Sequence, residues 1–252
     1  MKLVVDGLMT EYIDRGKGKV ILFLHGWGSD AAVFGGLFKE LEDKYRVIGL
    51  NFPGFGGTDE PPEVWSVQDY VDFTKKFIDK LDLKDIYAIV GHSFGGRVML
   101  KSVSSGQIAA KKLIFIDTAG VKQKTTLKLF VYKAIAKTGK VIFGLPGLKK
   151  FSGKLKDRLY GAAGAKDYVN ATSEVMKEIF KKVIDEDLSQ DIAKIKQPSL
   201  VVWGADDEMT PASDLEEYGK NRVMQVNIID DAGHYVFIDQ PEKTIKLIKE
   251  FL

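Results

Sequence analysis

Gly91-His92-Ser93-Phe94-Gly95 lies between a short apolar run, residues 86–90, and a helix-like segment, residues 96–103. A serine between two glycines at a strand-to-helix junction is the pattern of a nucleophile elbow. Few features restrict a fold as much, because this one demands a buried strand, a tight turn and a helix in immediate succession. The reason is steric. The serine sits in a strained backbone conformation, and side chains at positions 91 and 95 would collide with the turn. The turn lifts the hydroxyl clear of the sheet. The N–H groups that follow open a helix, where they face developing negative charge. Ser93 is therefore the predicted nucleophile; the alternative is a glycine-rich turn carrying a solvated serine.

The rest of the chain supplies the layers around that turn. Asp6-Gly7, between residues 3–5 and 9–13, is a hairpin signal. Residues 20–24 form a continuous apolar run ending at His25-Gly26, which suits a buried strand. Residues 46–50, 113–117, 199–203 and 224–229 read as further strands. Helical spacing covers residues 31–41, 66–81, 211–219 and 241–251. In the second of these Val67, Tyr70, Val71, Phe73, Phe77, Ile78 and Leu81 share a face behind a Ser66 N-cap. Pro241 suits the start of the last. Strands alternating with helices predict an α/β fold, a mostly parallel sheet with helices on both faces. Residues 121–187 break the alternation with amphipathic helical stretches and no clear strand. They are expected to form an inserted helical cap, leaving 1–120 and 188–252 as the core.

Composition narrows the class. The 252 residues, 45% hydrophobic and 29% charged, are those of an ordinary soluble protein of one large domain or a core with an insertion. The absence of cysteine excludes disulfides, thiolate catalysis and cysteine-based metal sites. No apolar run is long enough to span a bilayer, and the first residues lack the apolar core of a signal peptide, so a cytoplasmic location is expected. A net charge of +2 gives no pull toward nucleic acid.

A serine hydroxyl needs a base, and the base an orienting acid. The chain has three histidines, His25, His92 and His234. His92 adjoins Ser93 on a turn where neighbours point apart, and His25 is expected to hydrogen-bond loop backbone. His234, just past the 224–229 strand, is the predicted general base, at a carboxyl end where parallel sheets build sites. For the acid, Asp206 and Asp207 follow the 199–203 strand and Asp117 ends the 113–117 strand. Asp207 leads, because Ser93, Asp207, His234 is the chain order of a known serine-acid-histidine arrangement. The Phe94 and Trp27 amides are the candidate oxyanion donors, with Gly26 and Gly28 allowing close backbone approach.

With these residues in place the chain resembles the α/β-hydrolase superfamily. The matching pieces run in family order: His25-Gly26-Trp27-Gly28, Asn51-Phe52-Pro53-Gly54-Phe55-Gly56, residues 91–95, Trp203-Gly204-Ala205-Asp206-Asp207 and Gly233-His234. The resemblance implies an eight-stranded, mostly parallel α/β-hydrolase sheet with a cap inserted after the sixth strand, and it favours Asp207 over Asp206. Many members have Asp where Asn51 stands. Dehalogenases and epoxide hydrolases of this fold carry Asp as nucleophile, which Ser93 argues against. Carbon–carbon hydrolases of ring-fission products share the serine triad, but usually show Gly-Pro-Gly after the first His-Gly and often Trp after the base. Here Trp27-Gly28-Ser29 and Tyr235 stand instead. Carboxylic-ester hydrolysis through an acyl-enzyme is the expectation left, with no metal or organic cofactor required.

Eleven positive residues fall within 121–160, namely lysines 122, 124, 128, 133, 137, 140, 149, 150, 154 and 156 with Arg158, against one acid, Asp157. Their plain reading is solvated outer faces of cap helices. Leu127, Phe130, Val131, Ile135, Val141, Ile142, Phe143 and Leu145 would then line an apolar acyl pocket. The alternative is weak attraction to anionic ligands or a membrane surface. The expected partner is a small-molecule ester with an apolar acyl part, and the expected state a monomer. A carbon–carbon hydrolase, a ligand-binding signalling protein on the same fold and a membrane-associated lipase are the competing functions.

Overall fold

The computed structural model describes residues 1–121 and 173–252. Eight strands form one sheet: β1 (Lys2–Val5), β2 (Leu8–Arg15), β3 (Lys19–Leu24), β4 (Tyr45–Leu50), β5 (Ile86–His92), β6 (Lys112–Ile116), β7 (Ser199–Gly204) and β8 (Met224–Ile229). Their order is β1-β2-β4-β3-β5-β6-β7-β8. β1 and β2 pair antiparallel, β2 runs antiparallel to β4, and every other neighbouring pair is parallel. The β1–β2 turn is the Asp6-Gly7 pair, whose φ values of 51° and 82° are what a two-residue hairpin of this hand requires. The predicted strands are all present, and the mostly parallel α/β architecture holds.

The described helices are α1 (Gly35–Leu41), α2 (Val67–Lys80), α3 (Phe94–Ser104), α4 (Glu174–Asp185), α5 (Ser189–Ile192), α6 (Leu215–Gly219), α7 (Val236–Asp239) and α8 (Pro241–Phe251). They cover both faces, and the period-two alternation of the strands assigns each side chain its layer. Leu22, Leu24, Leu113, Phe115, Val201 and Trp203 point into a core shared with Tyr70 and Phe77 of α2 and Val98 of α3. Ile21, Phe23, Ile114, Ile116, Leu200 and Val202 point the other way, onto Leu37 and Phe38 of α1 and Ile248 of α8. Central strands buried on both faces are apolar along most of their length, which is why residues 20–24 and 200–203 read as continuous runs. Ser66 begins α2 as expected, its N–H and hydroxyl both donating to Asp69 Oδ2 at 2.6 and 2.7 Å.

Parallel β3, β5, β6, β7 and β8 all end on one edge of the sheet. Residues 25–27, 93, 117, 205–210 and 232–236 follow those ends, so one rim of loops collects every residue picked out for chemistry. The glycines of the elbow are sterically obligatory. A Cβ on Gly91 would lie 2.8 Å from Gly96 Cα, and one on Gly95 only 2.0 Å from the Leu24 carbonyl oxygen. Gly95→Ala is therefore expected to destabilise the fold by at least about 2 kcal/mol, read as a lower urea midpoint. Gly35→Ala is the control: φ is −53° and a Cβ there meets nothing within 4 Å, so a gain of about 0.5–1 kcal/mol is expected.

Candidate active site

Ser93 joins β5 to α3 with φ 50° and ψ −113°, a conformation that costs a side-chain-bearing residue about 1–3 kcal/mol. The surrounding backbone holds it there. Its N–H donates to Ile116 O (3.1 Å), and its carbonyl accepts from Gly96 N–H (3.0 Å) and Ala119 N–H (3.2 Å). β6 thus clamps the elbow from one side while α3 closes it from the other.

The His25-Gly26-Trp27 turn passes directly beside this residue. A Cβ on Gly26 would lie 3.2 Å from Ser93 Cβ. His25 is fully buried. Its Nδ1–H donates to Gly26 O (2.7 Å) and its Nε2 accepts from Phe52 N–H (3.0 Å), which fixes a neutral tautomer. Burial pushes its pKa down to about 4. It ties the loop after β4 to the loop after β3, the backbone role expected of it. The Trp27 ring packs edge-on against Phe55 and Phe94, and neither the Trp27 nor the Phe94 amide donates to another described residue. Asn51 joins the same loops through its amide, accepting from Ala31 N–H (2.7 Å) and donating to Glu11 Oε2 (2.9 Å).

The loops after β7 and β8 bring Asp207 to His234. Asp207 Oδ2 lies 2.8 Å from His234 Nδ1. A carboxylate only accepts, so Nδ1 carries a proton, and in the neutral ring the lone pair is on Nε2. Asp207 takes three more donors: Met209 N–H (2.8 Å) and Thr210 N–H (3.0 Å) on Oδ1, and the Thr210 hydroxyl (2.6 Å) on Oδ2. Burial works to raise its pKa, but the bonds and charge of His234 and the Thr210 bonds outweigh it and hold the carboxyl below its ordinary value. The pair is out of water, with side-chain exposures of 7% for His234 and 0% for Asp207, so the imidazole is oriented rather than free to spin.

The two rival acids lie elsewhere. Asp206 is exposed, and its N–H donates to Ala232 O (2.9 Å). Asp117 is buried at the end of β6, accepting Gly204 N–H (2.8 Å) and Val236 N–H (3.2 Å), and burial pushes its pKa up to about 8. It ties β7 to α7 and makes no bond to the His234 ring. Sequence reasoning missed Thr210, although Asp207-x-x-Thr210 is the spacing at which an aspartate caps the following turn. It also passed over His92, whose Nε2 lies 2.8 Å from His234 O.

At the rim, α4 lays Phe180 against the Trp27 ring (centroids 5.2 Å apart), and Met176 fills the notch over Gly54. Leu188 N–H donates to Gly120 O (2.8 Å), so the chain leaves and rejoins the sheet at one point. The rest of the expected cap, with its lysines and the apolar set 127–145, lies outside the described residues. Among the described residues no helix is long and apolar enough to cross a membrane.

A family model described as the alpha/beta hydrolase fold matches residues 19–241. Monoacylglycerol lipase abhd6-B of Xenopus laevis is 26% identical over 264 residues, covering 96% of this chain and 78% of that protein. The 2-hydroxy-6-oxo-6-(2'-aminophenyl)hexa-2,4-dienoic acid hydrolase of Metapseudomonas resinovorans is 24% identical over 267 residues, covering 98% and 88%. An esterase of Exiguobacterium antarcticum has a solved structure that superposes with a TM-score of 0.74 at 21% identity, over 98% of this chain and 96% of that one. At that identity the likeness is one of fold.

Proposed function

The chain belongs to the α/β-hydrolase fold family, and from that premise we propose that it is a serine hydrolase of carboxylic esters, with Ser93 as nucleophile, His234 as base and Asp207 as acid. The observation that carries this reading is the buried 2.8 Å Asp207–His234 bond on the same rim as a serine held at positive φ beside the Gly26–Trp27 turn. His234 Nε2 takes the Ser93 proton as the hydroxyl attacks the ester carbonyl. The Trp27 and Phe94 amides hold the oxyanion, and the alcohol leaves with the proton from His234. Water activated by the same histidine then cleaves the acyl-enzyme. Trp27, Phe55 and Phe180 make one apolar wall for the acyl part.

A series of p-nitrophenyl esters of increasing chain length tests the reaction. Turnover accompanied by a fluorophosphonate adduct mapped to Ser93 is the expected result; an intact fold with no turnover on any ester would sink it. The similarity to a named dienoic acid hydrolase favours a second reading, cleavage of a carbon–carbon bond. A chromogenic ring-fission product included in the same series separates the two, since the ester reading requires faster Ser93-dependent turnover of the esters.

A further inference from the structure

The residue before the nucleophile has a position that the proposed chemistry does not use. His92 is fully buried at the end of β5. Its Nε2 lies 2.8 Å from His234 O, and a carbonyl only accepts, so Nε2 carries the proton. Nδ1 is then a bare acceptor, and it has no partner among the described residues. It faces Gly26, on which a Cβ would come within 2.9 Å of it. The ring also packs against His234 and Tyr235, with centroids 4.9 Å away in each case, and edge-on against Phe237 at 5.2 Å. One side chain therefore touches the oxyanion turn, is covalently next to Ser93, and grips the backbone of His234.

Packing alone does not account for a histidine here. A phenylalanine would fill the same space without leaving a buried ring nitrogen unpaired, an arrangement that costs stability. What phenylalanine lacks is the Nε2 donor. Further bonds hold the 232–236 loop to other parts of the rim, among them Asp206 N–H to Ala232 O, Gly233 N–H to Asp239 Oδ2 and Val236 N–H to Asp117 Oδ2. The His92 bond ties this loop to the residue that precedes the nucleophile.

We propose that His92 is a positioning residue that sets the separation of Ser93 and His234 by bonding its Nε2–H to the His234 carbonyl, and that it keeps Gly26 in register with both. This rests on the ester-hydrolase reading for its catalytic consequence, but not for the bond itself. Burial, and next the nearby His234, push the His92 pKa down to about 3, so the ring stays neutral and the donor stays in place across the working pH range.

The test compares His92→Phe with His92→Gln in the full chain. Glutamine carries an N–H at nearly the place of Nε2; phenylalanine keeps the ring and loses the donor. His92→Phe is expected to lower kcat about 10- to 100-fold with little change in KM, as a small misplacement of reacting groups does. His92→Gln should recover most of it at a similar Tm. Unchanged kcat in a folded His92→Phe, with turnover still dependent on Ser93, overturns the proposal and leaves the esterase reading standing. So does a folded His92→Gln no faster than His92→Phe. The long-range nitrogen–proton spectrum of the wild type, with only three histidines to assign, reads the bond without activity or variants. A neutral Nε2–H tautomer for His92 supports the proposal, and an Nδ1–H tautomer overturns it. A wild type that turns over no ester but shows the Nε2–H tautomer removes the esterase reading and keeps the positioning bond.

Discussion

Ser93→Ala is expected to lower ester turnover by about 10⁵- to 10⁶-fold, because the nucleophile of a unit that acts together carries nearly the whole of its effect. Stability should barely change. Alanine inherits the same φ of 50° and the same clamps from Ile116 and Ala119, so the backbone strain remains while only a hydroxyl is lost. Ser93→Gly separates strain from chemistry. Glycine adopts positive φ without steric cost, and this variant should be equally inactive but more stable by about 1 kcal/mol. Rates on a p-nitrophenyl ester beside urea midpoints for the three proteins check both halves. Residual turnover within about 100-fold of wild type in Ser93→Ala would exclude Ser93 as nucleophile, since binding and oxyanion donors alone leave far less than that.

Asp207→Asn is the second large effect, with an expected fall of about 10⁴-fold in kcat at nearly unchanged KM. The asparagine Oδ1 can still cap Met209 and Thr210, so the turn survives. Its amide nitrogen then faces His234 Nδ1 as a donor, which forces the imidazole into the tautomer that points a proton, rather than a lone pair, at the serine. Asp206→Asn, one residue away and exposed, should stay within about twofold of wild type, as exposed substitutions usually do. Equal losses in the two variants would return the choice of acid to the beginning. Asp207 also carries a pH signature. Its folded pKa is held below the unfolded value of about 3.9, so its stabilisation is present above that value and is lost as pH falls through the lower, folded one. Denaturant midpoints measured between about pH 2 and pH 5 should therefore fall less steeply in Asp207→Asn than in wild type.

Much of this architecture was legible because it is written in local pattern. A strand buried on both faces has to be apolar along most of its length, and a two-residue hairpin has to take residues that tolerate positive φ. An elbow wedged against Leu24 has to carry glycine at 95. These are short-range demands, and the residues 20–24, Asp6-Gly7 and 91–95 answer them within a few positions of one another. His234 stands out as the proposed base by scarcity, one of three histidines and the one on a loop after a late strand.

The identity of the partner acid is a different kind of fact. Asp206 and Asp207 are neighbours in a turn, and composition treats them alike; spacing and family order could only rank them. Which of them meets His234 depends on how β7 is registered on β8, where Gly204 pairs with Ile229 and the two following loops are brought face to face. Asp117 could serve as an acid on sequence grounds, yet its carboxyl closes on the backbone of Gly204 and Val236, residues 87 and 119 positions away. His92 acquires its partner the same way, through a carbonyl oxygen that only the folded sheet places within 3 Å of it. The sequence by itself determined the order of strands and helices, the strained serine turn and the pool of groups able to take or give a proton, because backbone sterics and burial act over a few residues. The tertiary structure alone decided which members of that pool are paired, because a hydrogen bond is made at about 3 Å and the chain between its partners is silent about that distance.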